Sequence, residues 1–322
     1  MRAIRVHAFG GPEVLTVDDV PTPAVGPEDV LVRIRAAGVN PVDTYVRAGT
    51  YARLPQLPYI PGKDGAGVVD AVGAQVVGLA CGDRVYIAGL GLPAAGTYAD
   101  VAVCDHQSVQ RLPDSVDFDA GAAVGVPYVT AARALFDRAR LEPGETVLVH
   151  GASGGVGLAA IQFANIAGAL ALGTAGSERG LQLIREQGVA AFDHSRPGYE
   201  REILDATGGR GVDVIVEMLA NVNLTRDFDV LATRGRIVIV GNRGSLDFNP
   251  RLTMAKEAAI LGTQLWNLSD EERTRLFARV NAGLRTGLLR PVVSRRLPLE
   301  DAAEAHRQVL LPGAAGKIVL VP

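Results

Sequence analysis

The chain has 322 residues, a formal net charge of −3, and 48% hydrophobic against 21% charged residues. At about 150 residues per domain, this length predicts two domains, and the composition excludes a disordered chain. Because 32 basic residues are balanced by 35 acidic ones with no long run of either sign, nucleic acid is not expected as a partner.

Compartment signals in the sequence favour a cytoplasmic protein. Cys81 and Cys104 form no CxxC pair and cannot build a disulfide framework, which indicates a reducing compartment. The first ten residues lack the apolar run of a signal peptide. Residues 157–175 are the nearest approach to a membrane span, but Gln162 and Asn165 interrupt them, so no membrane partner is expected.

The first 118 residues or so contain short β-branched runs separated by turn signals. Residues 30–36 alternate apolar and charged side chains, and residues 67–72 and 84–87 are further strands bounded by Gly or Asp. Such spacing is typical of an irregular β domain and predicts a partly open β-barrel.

From Tyr128 onward, the hydrophobic pattern alternates between strand and helix. We predict a helix over 129–140, a buried strand over 145–150 and a helix over 155–167. The alternation continues with strands at 169–174, near 191, 212–217 and 236–240, and with helices at 178–187 and 199–206. This order predicts an α/β fold with a doubly wound parallel sheet of the Rossmann type.

The last 60 residues are expected to return to the first domain. Residues 260–262 read as the final strand of the sheet, residues 269–284 as a polar helix, and the runs at 292 and 317–321 as short strands. The predicted domains are therefore 1–125, 126–265 and a returning segment 266–322, with the active site in the cleft between the two domains.

A glycine-rich turn follows the buried strand at 145–150 and opens the next helix. Gly154 and Gly157 hold the last two positions of a GxGxxG motif, while Ala152 stands at the first and Gly151 supplies a glycine one residue earlier. A backbone without Cβ atoms can approach a pyrophosphate closely, and the free N–H groups of a helix N-terminus attract it. The turn predicts dinucleotide binding; the alternative is a tight turn that serves helix packing.

The end of the second strand decides which dinucleotide is bound. Here Ala175 and Gly176 leave room for a 2′-phosphate, with Ser177 and Arg179 as candidate partners, which favours NADP. In the alternative interpretation, Glu178 stands at the strand end and binds the ribose hydroxyls of NAD.

Zinc is not expected. The five histidines are scattered singly, the two cysteines have no ligand spacing, and GxSxG, Walker and HExxH motifs are absent. Hydrolase and kinase functions are therefore excluded, and a substrate oxygen must be polarised by neutral donors or by the cofactor.

Four stretches carry a specific resemblance: residues 37–51, residues 58–62, the turn at 150–157 and residues 217–223, with further similarity through 241–257 to the Gly316–Lys317 tail. The chain resembles the zeta-crystallin-like family of NADPH:quinone oxidoreductases. That family is a zinc-free branch of the medium-chain dehydrogenase/reductase superfamily. The resemblance implies a GroES-like barrel beside a Rossmann domain.

The resemblance also implies which residues contact the cofactor. Tyr45 would lie near the nicotinamide, and Gly176 and His194 along the adenosine side. The pyrophosphate would be held by Ser153, Gly154, Gly155 and Val156. The rest of the cofactor would be contacted by Asn223, Val240, Gly241, Asn242, Arg243, Thr263, Gln264 and Leu265. In the alternative view, Tyr45 and Tyr51 are barrel core, Asn221 and Asn223 cap the following helix, and Arg243 is a solvated turn residue.

The resulting hypothesis is hydride transfer from NADPH to a small-molecule quinone. Asn40, Tyr45 and Tyr51 are the best neutral candidates to donate a hydrogen bond to the acceptor oxygen. The alternatives are an enone or enoyl reductase of the same fold, an NADPH-binding structural or RNA-binding protein, and a zinc alcohol dehydrogenase. Residues 87–97 are expected to shape the acceptor pocket, and the apolar stretch 257–265 to pair with its copy in a homodimer or homotetramer.

Overall fold

The computed structural model describes residues 1–89, 96–313 and 315–322. Residues 90–95 of the expected pocket loop lie outside the described residues. The chain forms two compact units. The first unit comprises Met1–Val126, Trp266–Leu311 and Gly316–Pro322, and the second comprises Pro127–Leu265 and Pro312–Ala315.

The described strands, in chain order, are β1 Arg2–Val6, β2 Leu15–Asp19, β3 Asp29–Val39, β4 Asp64–Val72, β5 Arg84–Ala88, β6 Val101–Asp105, β7 Val109–Arg111, β8 Thr146–Val149, β9 Leu170–Ala175, β10 Ala190–Asp193, β11 Val212–Glu217, β12 Leu231–Ile239, β13 Ala259–Gly262, β14 Val293–Pro298 and β15 Lys317–Val321. The described α-helices are α1 Pro41–Arg47, α2 Phe118–Ala122, α3 Gly125–Ala132, α4 Gly155–Ile166, α5 Glu178–Arg185, α6 Tyr199–Ala206, α7 Ala220–Val230, α8 Arg251–Lys256, α9 Asp270–Arg285 and α10 Ala302–Gln308.

The second unit is built on a parallel sheet with the strand order β10-β9-β8-β11-β12-β13. β8 and β11 pair in the middle, so the strand order reverses direction there. The carboxyl ends of β8, β9 and β11 therefore meet at the topological switch point, where α/β folds bind nucleotides. The predicted Rossmann-type fold is confirmed.

The first unit contains a mixed sheet in the order β14-β15-β3-β4-β5-β7, with β6 also paired to β3, and a β1-β2 hairpin. β15 pairs antiparallel to β3, so the tail of the chain completes this sheet. Its core is formed by alternate apolar residues such as Val30, Val32 and Ile34. The predicted β domain of the GroES-like type is confirmed.

Some element boundaries differ from the predicted ones. The helix expected over 129–140 begins at Gly125 and continues as a π-helical segment, Arg133–Arg138. The strand expected over 236–240 begins at Leu231, because the chain passes through a left-handed residue at Arg234 and then resumes pairing. Among the described residues, no helix is both long and apolar enough to cross a bilayer.

Candidate active site

The glycine-rich turn joins β8 to α4 through backbone that only small residues allow. Gly151 adopts a left-handed φ of +56°, so it makes the tight turn that Ala152, at the first motif position, does not provide. A Cβ on Gly157 would lie 2.5 Å from both Ala152 Cα and Gly151 O. The N–H of Ala152 donates to the carbonyl of Thr174 at 2.9 Å, which fixes the turn against β9.

The turn leaves the amino end of α4 suited to an anion. Gly154 occupies the N-cap position in extended conformation and has no side chain to cap the helix. The twelve-residue helix that follows presents its first N–H groups at Gly155 and Val156, where the helix dipole is positive. Ser153 is buried beside them. This geometry suits a diphosphate bridge.

The end of β9 shows whether Glu178 stands at the strand end, where it would bind the ribose hydroxyls of NAD. The strand ends at Ala175, and Ser177 caps α5 by accepting a hydrogen bond from the N–H of Gly180 at 3.2 Å. Glu178 is the first residue of α5 and pairs with Arg185 at 2.9 Å. Arg179 is exposed. Glu178 therefore does not stand at the strand end.

A chain of polar side chains lies beneath these strand ends. His150 Nε2 lies 3.0 Å from Asp227 Oδ1, and His150 Nδ1 lies 3.1 Å from the Thr174 hydroxyl. The same hydroxyl lies 3.3 Å from His194 Nδ1. His150, Asp227 and Thr174 are buried, whereas His194 reaches the surface. A Cβ on Gly176 would lie 2.6 Å from His194 Nε2, so this glycine makes room for the imidazole.

Charges in this chain shift the pKa of both imidazoles. Burial opposes the charged form of His150, but its hydrogen bond to Asp227 and the carboxylates of Asp227 and Glu217 raise its pKa overall. Partial burial and the positive charge of His150 lower the pKa of His194. The two shifts run in opposite directions: the surroundings favour the charged form of His150 and the neutral form of His194.

Glu217, at the end of β11, anchors the loop that follows β12. Its Oε1 accepts hydrogen bonds from the N–H of Leu219 and from Asn223 Nδ2, the latter at 3.1 Å. Its carbonyl accepts the N–H groups of Val240 at 2.9 Å and Gly241 at 3.2 Å. Burial raises the pKa of this carboxyl to about 7. One buried residue thus positions Asn223 and the 240–241 backbone together.

The same loop is fixed by a reciprocal pair of asparagines. Asn242 Oδ1 accepts the N–H of Asn221 at 3.0 Å, and Asn221 Oδ1 accepts the N–H of Arg243 at 3.0 Å. Asn221 and Asn223 lie in the first turn of α7, whose N-cap is Leu219. The alternative view of Asn223 as a helix cap is therefore wrong, because the helix begins earlier than the asparagines.

The stretch after β13 contains an unsatisfied polar atom. The N–H of Thr263 donates to Ile239 O at 3.2 Å, and its buried hydroxyl has no hydrogen-bond partner among the described residues. Gln264 and Leu265 follow directly. A buried hydroxyl without a partner is costly unless a ligand satisfies it.

In the first unit, Asn40 lies inside a buried polar cluster. Its amide nitrogen donates to Asp64 Oδ2 at 2.8 Å, and its amide oxygen accepts from the Lys317 ammonium. Lys317 Nζ also lies 3.1 Å from Asp64 Oδ2. Asn40 is 3% exposed and Lys317 5%. Asn40 therefore holds the cluster together and is enclosed by it.

Asp43 and Tyr98 extend this cluster. Asp43 Oδ2 accepts the N–H of Asn40 at 2.9 Å and the Tyr98 hydroxyl at 3.3 Å. Burial raises the pKa of Asp43 to about 6. His306 Nε2 lies 3.2 Å from the Tyr98 hydroxyl, and burial lowers the pKa of His306 to about 3. Asp43 thus closes the turn at the start of α1, and Asp64 is paired with Lys317.

The two candidate tyrosines sit nearer the surface. Tyr45 is half-buried on α1. Tyr51 is also half-buried, and its ring meets that of Trp266 edge to face at a centroid distance of 5.0 Å. The Arg53 guanidinium lies 5.0 Å from the centroid of the Trp266 ring. Solvent therefore reaches the side chains of Tyr45 and Tyr51, whereas Asn40 is buried.

Comparison with known proteins places this geometry in a family. Residues 26–114 match the alcohol dehydrogenase GroES-like domain, and residues 155–281 match the family described as zinc-binding dehydrogenase. A quinone oxidoreductase of Homo sapiens is 46% identical over 324 aligned residues, which cover 100% of this chain and 98% of the relative. The chain belongs to the quinone oxidoreductase family of medium-chain dehydrogenase/reductases. The resemblance seen in the sequence is confirmed.

Solved structures agree with this membership. The quinone oxidoreductase of Escherichia coli complexed with NADPH is 28% identical, with a TM-score of 0.88 and full coverage of both chains. An NAD-dependent alcohol dehydrogenase is 35% identical, with a TM-score of 0.90 and full coverage of both chains. The quinone oxidoreductase family thus shares its fold with relatives named for either dinucleotide.

Sequence reasoning missed the buried ionisable residues of this family member. Lys317, Glu217 and Asp227 belong to no metal-ligand or catalytic motif. Lys317 and Asp227 have partners far away in the sequence: Lys317 meets Asp64 across 253 residues and Asp227 meets His150 across 77. One signal was present, because Glu217 directly follows the β-branched run of β11. A charge at the end of a buried parallel strand indicates a buried partner or a ligand.

Proposed function

We propose that this protein is an NADPH-dependent quinone oxidoreductase that works without zinc. The observation that carries the proposal is the end-to-end similarity, at 46% identity, to a human relative named quinone oxidoreductase. The residues of the second unit fit the cofactor. The glycine turn offers a cradle that a Cβ at Gly157 would fill, and the Thr263 hydroxyl lacks a partner that a ligand would supply.

The proposal assigns the contacts residue by residue. The N–H groups at Gly155 and Val156 hold the diphosphate, with Ser153 and the Gly154 backbone beside it. The strand end at Gly176, bordered by His194, accommodates the 2′-phosphate with Ser177 and Arg179, because Glu178 is paired with Arg185 instead of occupying that end. The remaining contacts come from Tyr45, His194, Asn223, Val240, Gly241, Asn242, Arg243, Thr263, Gln264 and Leu265.

When bound, NADPH supplies the hydride. The chain contributes neutral hydrogen-bond donors for the acceptor oxygen, for which we propose the hydroxyls of Tyr45 and Tyr51. Asn40 has a different role from the one expected of it. Its side chain is committed to Asp64 and Lys317, so we propose that it positions α1, on which Tyr45 sits.

Zinc independence is supported by the charge balance of the buried cluster. The Asp64 carboxylate, a possible metal ligand, is already compensated by the Lys317 ammonium at 3.1 Å. Within the described ranges, His150, Glu217 and Asp227 form the one group of three possible ligand residues whose donor atoms lie within 4.8 Å of one another. We interpret that group as an ion pair, because His150 is hydrogen-bonded to Asp227.

The proposal includes a cytoplasmic location and a homodimer or homotetramer. β13 is the last strand of the six-stranded sheet. Pairing of β13 with its copy would extend the sheet across a two-fold axis and protect its edge.

A substrate panel tests the proposed function. The purified chain should oxidise NADPH in the presence of an ortho-quinone, more slowly with NADH, and at the same rate after treatment with a chelator. An α,β-unsaturated ketone in place of the quinone tests the enone reductase alternative. Turnover with the ketone but not with the quinone would overturn the proposal, as would the loss of activity on chelation with recovery on adding zinc.

A further inference from the structure

The second strand of a dinucleotide-binding sheet normally ends at the side chain that reads the 2′ position of the adenosine ribose. Here β9 ends at Ala175, and the next residue is Gly176. The space above Gly176 is taken by His194, which follows β10; a Cβ on Gly176 would lie 2.6 Å from His194 Nε2. A residue from the neighbouring strand end therefore occupies the reading position.

What His194 can do there depends on which ring nitrogen carries its hydrogen. A neutral imidazole has one donor and one acceptor nitrogen. With the hydrogen on Nε2 it offers a donor to an anion, whereas with the hydrogen on Nδ1 it presents a lone pair that repels one. His194 Nδ1 contacts the Thr174 hydroxyl at 3.3 Å, so Thr174 decides between the two tautomers.

The Thr174 hydroxyl is in turn directed by His150. The imidazole of His150 lies 3.0 Å from Asp227 Oδ1 and 3.7 Å from Glu217 Oε2, all three side chains being buried. Because two carboxylates face Nε2, the charged form of His150 is favoured. In that form, Nε2–H is donated to Asp227 and Nδ1–H to the Thr174 oxygen at 3.1 Å. The single hydroxyl hydrogen of Thr174 then points to His194 Nδ1, which must accept it.

We propose that Asp227, His150 and Thr174 form a relay of hydrogen bonds that holds the hydrogen of His194 on Nε2, facing the 2′-phosphate of NADPH. The relay makes Asp227, His150 and Thr174 positioning residues for the preference of NADPH over NADH. This inference rests on the proposed function, because it concerns the same cofactor site.

The first test uses the protein without cofactor. Nitrogen-15 NMR of histidine-labelled protein at pH 7, with the His194 signals identified by their loss in a His194→Gln variant, reports the hydrogen on each ring nitrogen. The relay predicts that His194 is protonated on Nε2 alone and His150 on both nitrogens. A His194 ring protonated on Nδ1 would overturn it.

The second test measures dissociation constants of both nucleotides by calorimetry. Thr174→Val removes the bridging hydroxyl at nearly constant volume and should weaken NADPH binding by about tenfold or more, while NADH binding changes by less than about twofold. Thr174→Ser keeps the hydroxyl and should retain the preference. Thr146→Val, in the neighbouring strand β8 but at its amino end, is the matched control.

Equal weakening of both nucleotides in Thr174→Val, or no change in either, would refute the relay. If Thr174→Val fails to fold, the NMR result decides. If the unmodified protein binds neither nucleotide, the proposed function fails, while the tautomer measured without cofactor still supports or refutes the relay.

Discussion

The buried ammonium of Lys317 holds together the cluster around Asn40 and Asp64, which no sequence motif predicts. Its ammonium lies 3.1 Å from Asp64 Oδ2 and also contacts the Asn40 amide oxygen. Asp64 in turn accepts the backbone N–H of Val126 at 2.8 Å through its other oxygen. Three segments remote in sequence thus depend on one ion pair, which is costly to break because its partner would remain buried without a counter-charge.

Lys317→Met should therefore lower the free energy of unfolding by about 3–5 kcal/mol. Urea denaturation followed by circular dichroism measures the loss. Combining it with Asp64→Asn should recover part of the stability, since the uncompensated carboxylate is removed. Lys256→Met, whose ammonium bonds one carbonyl at 2.8 Å, is the control. Equal stability of Lys317→Met and the unmodified protein would contradict the assigned role of the pair.

Tyr45→Phe tests the donor proposed for the acceptor oxygen. Loss of one such donor costs roughly 3 kcal/mol of transition-state stabilisation, or about a hundredfold in kcat. NADPH binding should weaken far less, since the ring remains. Steady-state kinetics with a quinone measure the change, and Tyr128→Phe, a buried tyrosine bonded to Gln162, is the control. Unchanged kcat would assign Tyr45 to positioning alone.

Among the elements, those bounded by turn residues were predicted well and those bounded by tertiary contacts were not. The strand and helix flanking the glycine turn were predicted at 145–150 and 155–167, close to the observed β8 and α4, because buried apolar runs end there at glycines. The β1-β2 hairpin was not predicted from the sequence. Charged residues interrupt its apolar pattern: in Arg2–Val6, Arg2 is exposed and Arg5 half-buried, whereas Ala3, Ile4 and Val6 are buried.

Glu217, at the carboxyl end of β11, is expected to make the stability of the protein depend on pH. Glu217 has an ordinary pKa of 4.5 that burial raises to about 7. The folded state therefore holds this proton more tightly than the unfolded chain, so its stabilising contribution is complete below 4.5 and is lost as the pH rises through about 7. Glu217→Gln keeps the acceptor for Asn223 and cannot titrate.

Urea unfolding at intervals from pH 5 to pH 8 checks this expectation. Stability of the unmodified protein should fall more steeply with rising pH than that of Glu217→Gln. Parallel curves for the two proteins would show that the carboxyl does not titrate in this range and would contradict the assigned burial effect.

At the scale of the whole molecule, the fold and the family could be predicted from the sequence, but the buried networks could not. The glycine turn at 151–157 and the alternation of strands and helices are local patterns. The Asn40 cluster is not, since Lys317 lies 277 residues from Asn40. Asn40 was expected to be a donor to substrate because its burial is invisible in the sequence.

The proposed assembly predicts a measurable mass. One chain is 33.7 kDa, so sedimentation equilibrium should report twice or four times that value if β13 pairs with its copy. A mass of a single chain across micromolar concentrations would refute the assembly, while leaving the cofactor site as described.

Calorimetric titration of NADPH into the purified protein, beside its Gly157→Ala variant, tests the central claim most directly. A Cβ at Gly157 would lie 2.5 Å from Ala152 Cα, whereas one at Gly262 would have no atom of the described residues within 4 Å, so Gly262→Ala is the control. We predict one NADPH bound per chain in the unmodified protein and the control, with binding lost in Gly157→Ala. Absence of heat with the unmodified protein, or equal binding by all three, would contradict the account.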